Sequence, residues 1–482
     1  MKKILTDGIK TARIKPVWLL VTGMVLMALS HMSWNIDLLA WVSMVPFLIY
    51  LNITRGLRSR LVFALFLVIT WSLIVLKIIT EPVPYFLIPL YSVPLAIIHL
   101  PGYLLYGYSR NHRISVFIFP ASMVILEWIQ YTITPFASWG VAAYTQANSI
   151  GIMQGVSLFG MAGLSFMIYW TNSALANLLL SGKHSFANLP LPLICLLLLC
   201  IFGGLRYGFS GASGRETLKV AAVGTDSEIG GLPLPSPESN RKVINAIFSR
   251  TEKASGAGAR LIVWNEAAFY LTPENESLWS DSIGALAKEK NIAIVASWVV
   301  PLPGKPFRYE NKFVLYGPDG EIKNIYHKHQ PVPGEPAIKG KEKIISAALF
   351  GSNIGGAICY DYDFPYLAKE NMYAGADIVA LPSSDWRGID PLHTRMASFR
   401  AIEQGHSIVR STRFGLSAAI NPYGEINASM SSFDKNDKIM ISTLPLKKVK
   451  TLYARIGDVF VFGCIGFLIV GLVWVVMKNR KT

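Results

Sequence analysis

Three residues in the polar part of this chain carry side chains that complement one another chemically: Glu266, Lys328 and Cys359. Glu266 closes the run Leu261-Ile262-Val263-Trp264-Asn265-Glu266, Lys328 follows a hairpin strand in Tyr326-His327-Lys328, and Cys359 ends Gly355-Gly356-Ala357-Ile358-Cys359. A thiol attacks an acyl carbon only as the thiolate, so it needs a base to take its proton, and Glu266 is the candidate. The attack leaves a negative charge on the acyl oxygen, for which Lys328 and the backbone N–H of Tyr360 are candidate partners. Taken singly, each residue has a plainer reading as a surface carboxylate, a solvated cation or a small buried core residue. Their shared placement at strand ends, where sites collect in layered α/β sheets, argues for convergence.

The four cysteines separate by environment. Cys195, Cys200 and Cys464 fall inside long apolar runs, whereas Cys359 alone lies in polar sequence without an intradomain partner for a disulfide. The stretch 217–450 around it has the composition of a globular domain long enough for its own core. Strands are expected at 218–223, 260–264, 292–299, 313–316, 354–359, 377–381, 408–411 and 418–420, and helices at 239–255, 276–290, 365–375 and 391–405. Pro318-Asp319-Gly320 and Pro422-Tyr423-Gly424 mark hairpin turns. Such alternation predicts a layered α/β domain.

The rest of the chain belongs in lipid. Of 482 residues, 52% are hydrophobic and only 16% are charged, well below the quarter or so usual in soluble proteins. Eight apolar segments are expected to span a membrane: 17–31, 38–51, 61–79, 85–108, 114–133, 150–180, 189–209 and 459–477, the second short and the sixth long. This divides the chain into a seven-span region (1–212), the globular domain (217–450) and a last span with its tail (455–482). Lys2, Lys3, Lys10, Arg13 and Lys15 precede the first span; Arg55, Arg58 and Arg60 follow the second, Arg110 and Arg113 the fourth, Lys183 the sixth, and Lys478, Arg480 and Lys481 the last. The alternate loops 31–37 and 135–148 contain neither Lys nor Arg. The positive-inside rule then places both termini in the cytoplasm and the globular domain outside it, whereas cleavage of the first span as a signal peptide would invert this agreement. The net charge of +15 is spread over these loops and forms no recognition helix or stripe, which argues against a nucleic-acid partner.

The order Glu, then Tyr-x-Lys, then Cys-Tyr-acid is similar to the nitrilase (carbon–nitrogen hydrolase) superfamily. Placed between seven spans and one last span, such a domain resembles the apolipoprotein N-acyltransferases, membrane-embedded members of that superfamily. The likeness extends over essentially the whole chain. It includes Ile125-Leu126-Glu127-Trp128, the stretch 139–166 from Trp139 to Phe166, the stretch 393–401 from His393 to Ala401, and Val409-Arg410-Ser411-Thr412. The resemblance implies an αββα sandwich and a Glu266–Lys328–Cys359 triad, with Glu335 as a second glutamate beside it and Tyr360 and Asp361 supporting the substrate or the oxyanion. It implies a membrane phospholipid as acyl donor, a thioester on Cys359, and the α-amino group of a diacylglyceryl-cysteine lipoprotein as acceptor. The location implied is the bacterial inner membrane with the catalytic domain in the periplasm, in a monomer that uses no cofactor and no metal.

Four positions depart from the family's pattern. Asn265 stands for a usual proline, Val332-Pro333-Gly334-Glu335 lacks an aromatic, Asp361 stands for Glu, and Ser384-Asp385-Trp386-Arg387-Gly388 is shortened. The rival activity is a membrane-held amidase that passes the acyl group to water; a scaffold with a dead catalytic domain is disfavoured because all three triad types are present. Glu127, within the fifth span, is either functional or paired inside the bundle. His393 has no second ligand at i+3 or i+4, so it reads as a helix-surface or structural residue and not as a metal ligand.

Overall fold

The computed structural model describes residues 15–181, 190–208, 216–434 and 437–480. Lys2, Lys3, Lys10, Arg13, Lys183 and Lys481, and both ends of the expected span 189–209, lie outside them. The chain forms two compact units, Met1–Phe209 with Arg455–Thr482, and Ser210–Ala454.

The first unit is helical, and each expected span contains a helix. Five helical segments among the described residues are long and apolar enough to cross a membrane: Leu57–Leu76, Tyr85–Ser109, Ser115–Ile133, Pro190–Gly208 and Val459–Asn479. The other three expected spans differ from this pattern. The first is a helix of 15 residues, Pro16–Ser30. The second is a 3₁₀ turn, Asp37–Trp41, followed by the nine-residue helix Val45–Ile53. The sixth breaks into Ile150–Met153 and Val156–Ser181, the latter kinked where Phe159 and Gly160 leave helical geometry. Polar side chains tie these irregular parts down, as backbone groups in an apolar surrounding require. Asn172 accepts from the Met44 N–H and donates to the Ala40 carbonyl, both at 2.8 Å. Glu127 is buried and accepts from the Ala142 N–H at 2.7 Å and the Tyr169 hydroxyl at 2.6 Å. Of its two readings, pairing inside the bundle is the one the geometry bears out.

The second unit contains two six-stranded sheets. The first runs β12-β1-β2-β3-β4-β5, from β1 (Thr217–Val223), β2 (Leu261–Trp264), β3 (Ala293–Leu302), β4 (Arg308–Tyr316), β5 (Ile322–His327) and β12 (Ile439–Pro445). The second runs β11-β10-β9-β8-β7-β6, from β6 (Ala347–Leu349), β7 (Ser352–Gly356), β8 (Ile378–Ser384), β9 (Ser407–Arg413), β10 (Leu416–Ile420) and β11 (Ile426–Ser431). In each sheet three central strands are parallel: β1-β2-β3, joined through helices Pro237–Gly256 and Pro273–Lys290, and β7-β8-β9, joined through Pro365–Tyr373 and Leu392–Gln404. β2 and the first residues of β3 and β8 are buried and read as apolar runs, because both faces of the sheet are covered there. The sheets pack face to face with helices outside, which is the expected αββα sandwich.

The chain is closed by an element with no sequence signal of its own. β12 pairs antiparallel with β1 across more than two hundred residues, Thr217 opposite Pro445 and Val223 opposite Ile439. Two glycines permit close approaches. Gly405 ends helix Leu392–Gln404 at φ 73°, and a Cβ there would stand 1.9 Å from the Val449 carbonyl oxygen. At Gly356, the last residue of β7, a Cβ would stand 2.4 Å from the Phe313 ring of the facing sheet. Gly356→Ala is therefore expected to wedge the sheets and cost about 1–3 kcal/mol, read as a lowered unfolding midpoint of the detergent-solubilised chain.

Candidate active site

Each candidate triad residue lies just beyond the end of a strand. Glu266 follows β2 and is buried, its backbone N–H donating to the Ser383 carbonyl of the opposite sheet at 3.3 Å. Asn265 holds this corner by accepting from the Thr225 N–H at 2.7 Å and donating to the Glu266 carbonyl at 2.9 Å. Lys328 follows β5, is 2% exposed, and donates its backbone N–H to the Asn311 carbonyl at 2.8 Å.

Cys359 does not end a strand as expected. β7 stops at Gly356, and Cys359 opens a 3₁₀ turn, Cys359–Asp363, with its own φ at +48°. This left-handed conformation is uncommon outside glycine and persists where the surroundings enforce it. Asp361 does much of that work. Its Oδ2 accepts from the Ile358 N–H at 3.0 Å and the Tyr326 hydroxyl at 2.8 Å, and its Oδ1 from the Gln330 N–H at 2.6 Å. The carboxylate thus ties the cysteine turn to the strand that ends at Lys328. The Tyr326 ring is in turn stacked between Phe313 and His329 at 5.1 and 4.6 Å. Tyr360 follows the thiol in the turn, its ring edge-on to Phe364.

The charged centre is a lysine between two glutamates. Lys328 Nζ donates to Glu266 Oε1 at 2.8 Å and to Glu335 Oε2 at 2.7 Å. Asn311, buried in β4, donates to the same Glu266 Oε1 at 2.8 Å and to Glu335 Oε1 at 2.9 Å. Glu335 also accepts from the Val332 N–H at 2.9 Å and the Tyr309 hydroxyl at 3.4 Å. Both donors to Glu266 use Oε1, so Oε2 is left as the oxygen able to receive a proton. Burial works against the charge on Lys328, but Glu266 and Glu335 outweigh it and hold the ammonium protonated well above its ordinary range. Burial likewise opposes ionisation of Glu335, and Lys328 and Asn311 overcome it, leaving this carboxyl below the usual range. Cys359 is different: burial and the Glu266 carboxylate push its thiol well up, and Lys328 and Arg410 only partly offset them. The resting sulfur is a neutral thiol, donating to the Ser384 carbonyl at 3.3 Å.

Asn311 and a second charged cluster join the site beyond the expected residues. Asn311 has a sequence signal, a polar side chain within an apolar strand, but spacing alone does not say what it faces. His393 is not on a helix surface; it is buried, with Nδ1 2.7 Å from Asp385 and Nε2 3.0 Å from Asp363. Arg410 clamps both Asp385 oxygens at 2.8 and 3.0 Å. Burial alone would lower the His393 pKa, but Asp363 and Asp385 raise it to about 9, while Arg410 helps hold Asp385 at about 2. Cys359, Asp385 and His393 offer ligand atoms within 4.8 Å of one another. Both oxygens of Asp385 are already taken by Arg410, and both ring nitrogens of His393 face carboxylates, so the group reads as an internally satisfied ion cluster and not as a vacant ligand set.

Residues 219–454 match the carbon–nitrogen hydrolase family, and residues 23–174 match the apolipoprotein N-acyltransferase N-terminal domain. In these two matches the chain is similar to the apolipoprotein N-acyltransferases. An apolipoprotein N-acyltransferase of Geobacter metallireducens is 27% identical over 92% of this chain and 91% of its own length. One from Borreliella burgdorferi is 26% identical over 67% and 68%. Among solved structures, an amidase from Nesterenkonia sp. is 18% identical over 51% of this chain and 95% of its own, with a TM-score of 0.40. The two matches fall one in each unit, the first in the helical region and the second in the two-sheet sandwich.

Two outcomes follow from these charges. Lys328→Ala would leave two buried carboxylates uncompensated and is expected to lower stability by about 3–5 kcal/mol in chemical denaturation. His393, with a folded pKa raised from 6.5 to about 9, adds stability that is complete below the unfolded pKa and is lost as the pH rises through about 9. The amount is roughly 3 kcal/mol. Denaturation midpoints scanned over that window should fall in the wild type, and His393→Gln should remove this part of the slope.

Proposed function

We propose that this protein transfers an acyl chain from a membrane phospholipid to the α-amino group of a diacylglyceryl-cysteine at a lipoprotein N-terminus. Cys359 serves as nucleophile, Glu266 as base and acid, and Lys328 as the oxyanion partner. The observation that carries the reading is the Glu266–Lys328–Glu335 cage, whose charges act on a buried thiol in a domain that shares its chain with apolar helices. The similarity to apolipoprotein N-acyltransferases supports the same activity.

In the first half-reaction Glu266 Oε2 takes the thiol proton as Sγ bonds to the ester carbonyl carbon. The oxyanion is stabilised by the Lys328 ammonium, already desolvated and aligned by its carboxylates, and by the Tyr360 N–H. Collapse breaks the ester C–O bond; the lysophospholipid oxygen leaves with the proton held by Glu266, and the acyl group remains on sulfur. In the second half-reaction the neutral α-amine attacks the thioester, its proton passes to Glu266, and the C–S bond breaks. The thiolate then recovers that proton. A base is required because the resting sulfur is protonated, and Asn311 and Lys328 direct the task to one carboxylate oxygen.

Glu335 holds Lys328 beside Glu266, and Asp361 holds the cysteine turn. Neither needs to touch substrate for its loss to matter. With apolar helices in the same chain, both lipid substrates can be presented from a membrane. The basic loops support a topology with both termini in the cytoplasm and the catalytic domain in the periplasm.

The test is incubation of the purified protein with phospholipid and a synthetic diacyl lipopeptide, followed by mass spectrometry. A gain of one acyl chain at the peptide amine, with release of lysophospholipid, is the expected result. It should vanish in Cys359→Ala and drop at least about 100-fold in Glu266→Gln. Free fatty acid with an unmodified peptide would assign the acyl acceptor to water and make the protein a hydrolase.

A further inference from the structure

The buried cluster on the other side of Cys359 has no part in the transfer just described, yet it touches both segments that fix the sulfur. One segment is the turn Cys359–Asp363, which begins with the thiol and ends with the carboxylate that His393 Nε2 meets at 3.0 Å. The other is the end of β8, where the Ser384 carbonyl accepts the thiol hydrogen and the adjacent Asp385 meets His393 Nδ1 at 2.7 Å. Helix Leu392–Gln404 supplies the imidazole and β9 supplies Arg410, so four elements converge at this point. Arg410 also donates to Thr394 at 2.6 Å and Thr412 at 2.7 Å, which fixes its guanidinium to the same helix and strand. Asp363, Asp385, His393 and Arg410 are all buried, and two anions face two cations.

We propose that His393 is a positioning residue for the Cys359 nucleophile: by bridging Asp363 and Asp385 it staples the cysteine turn to the end of β8 and so sets the sulfur between its proton acceptor and its carbonyl support. The proposal rests on the acyltransferase reading for its kinetic test but not for its chemical one. Without the imidazolium, Asp363 and Asp385 face each other across a buried gap, with Arg410 as the cation of the cluster. The turn then loses a contact at its far end, and the Asp385 carboxylate, which already pushes the thiol's pKa up, loses its imidazole partner. Misplacement of a reacting atom by about 1 Å can cost on the order of 100-fold in rate, so the effect should be large even where the fold survives.

The experiment compares wild type, His393→Gln and Asp363→Ala as full-length protein in detergent, with the unfolding midpoint recorded for each. Alkylation of Cys359 by iodoacetamide is followed by mass spectrometry of its peptide across roughly pH 6 to 10, and lysophospholipid release gives kcat and KM. Positioning predicts that folded His393→Gln alkylates about 10- to 100-fold more slowly at neutral pH, with its profile displaced to higher pH. It further predicts that kcat falls while KM for phospholipid stays unchanged. Asp363→Ala cuts the same bridge from the turn side and should slow alkylation and lower kcat in the same way, without the upward displacement of the profile because it removes a negative charge, which keeps the test decisive should His393→Gln fail to fold. A lowered unfolding midpoint with wild-type alkylation rate, pH profile and kcat in either folded variant would overturn the proposal and leave His393 a purely structural residue. If wild type alkylates but releases no lysophospholipid, the acyltransferase reading falls, and the alkylation comparison still decides the role of His393.

Discussion

The catalytic domain is organised around one buried ammonium group. Lys328 is almost wholly removed from water, and an uncompensated cation there would cost several kcal/mol. Compensation comes from the buried carboxylates of Glu266 and Glu335. Lys328 in turn holds the Glu335 carboxyl below its usual range against burial, and Asn311 locks the two carboxylates to a common nitrogen. This mutual dependence places demands on the fold. The end of β2, Asn311 within β4, the end of β5 and the loop carrying Glu335 must meet within hydrogen-bond reach of a single point, which the strand order of the first sheet provides.

Against this fixed charge stands a thiol of opposite character. The surroundings of Lys328 favour its charged form, whereas those of Cys359 favour the neutral one. A thiol that stays protonated at rest is protected from adventitious oxidation and alkylation, and it gains nucleophilicity when a base removes the proton during attack. The strained backbone at Cys359 suits this arrangement, because a φ of +48° turns the residue out of the β7 direction and the Asp361 carboxylate sustains it through three donors.

The membrane unit follows a different logic. Where its helices are regular, apolar side chains suffice. Where they break, at 31–44 and 137–149, buried Asn172 and Glu127 receive or supply hydrogen bonds that lipid cannot. Glu127 in a span is thus accounted for by the N–H of Ala142 and the hydroxyl of Tyr169.

Much of this was legible in the sequence because it depends on local properties. Apolar length marks spans, loop charge marks their direction, β-branched runs mark the parallel core strands, and the order of Glu266, Lys328 and Cys359 resembles a known family closely enough to suggest the chemistry. The expected strands at 218–223, 260–264 and 377–381 lie within a residue or so of β1, β2 and the start of β8. What could not be read depends on groups far apart in the chain. No local pattern tells β12 to pair with β1, Asn311 to bridge two carboxylates, Cys359 to leave its strand for a left-handed turn, or His393 to sit between Asp363 and Asp385. The sequence by itself determined which residues could carry charge, attack a carbonyl or enter lipid, since these are properties of single side chains and their near neighbours. The tertiary structure alone decided which of them are stripped of water together, and desolvation in common is what sets their charges and turns a list of residue types into a site.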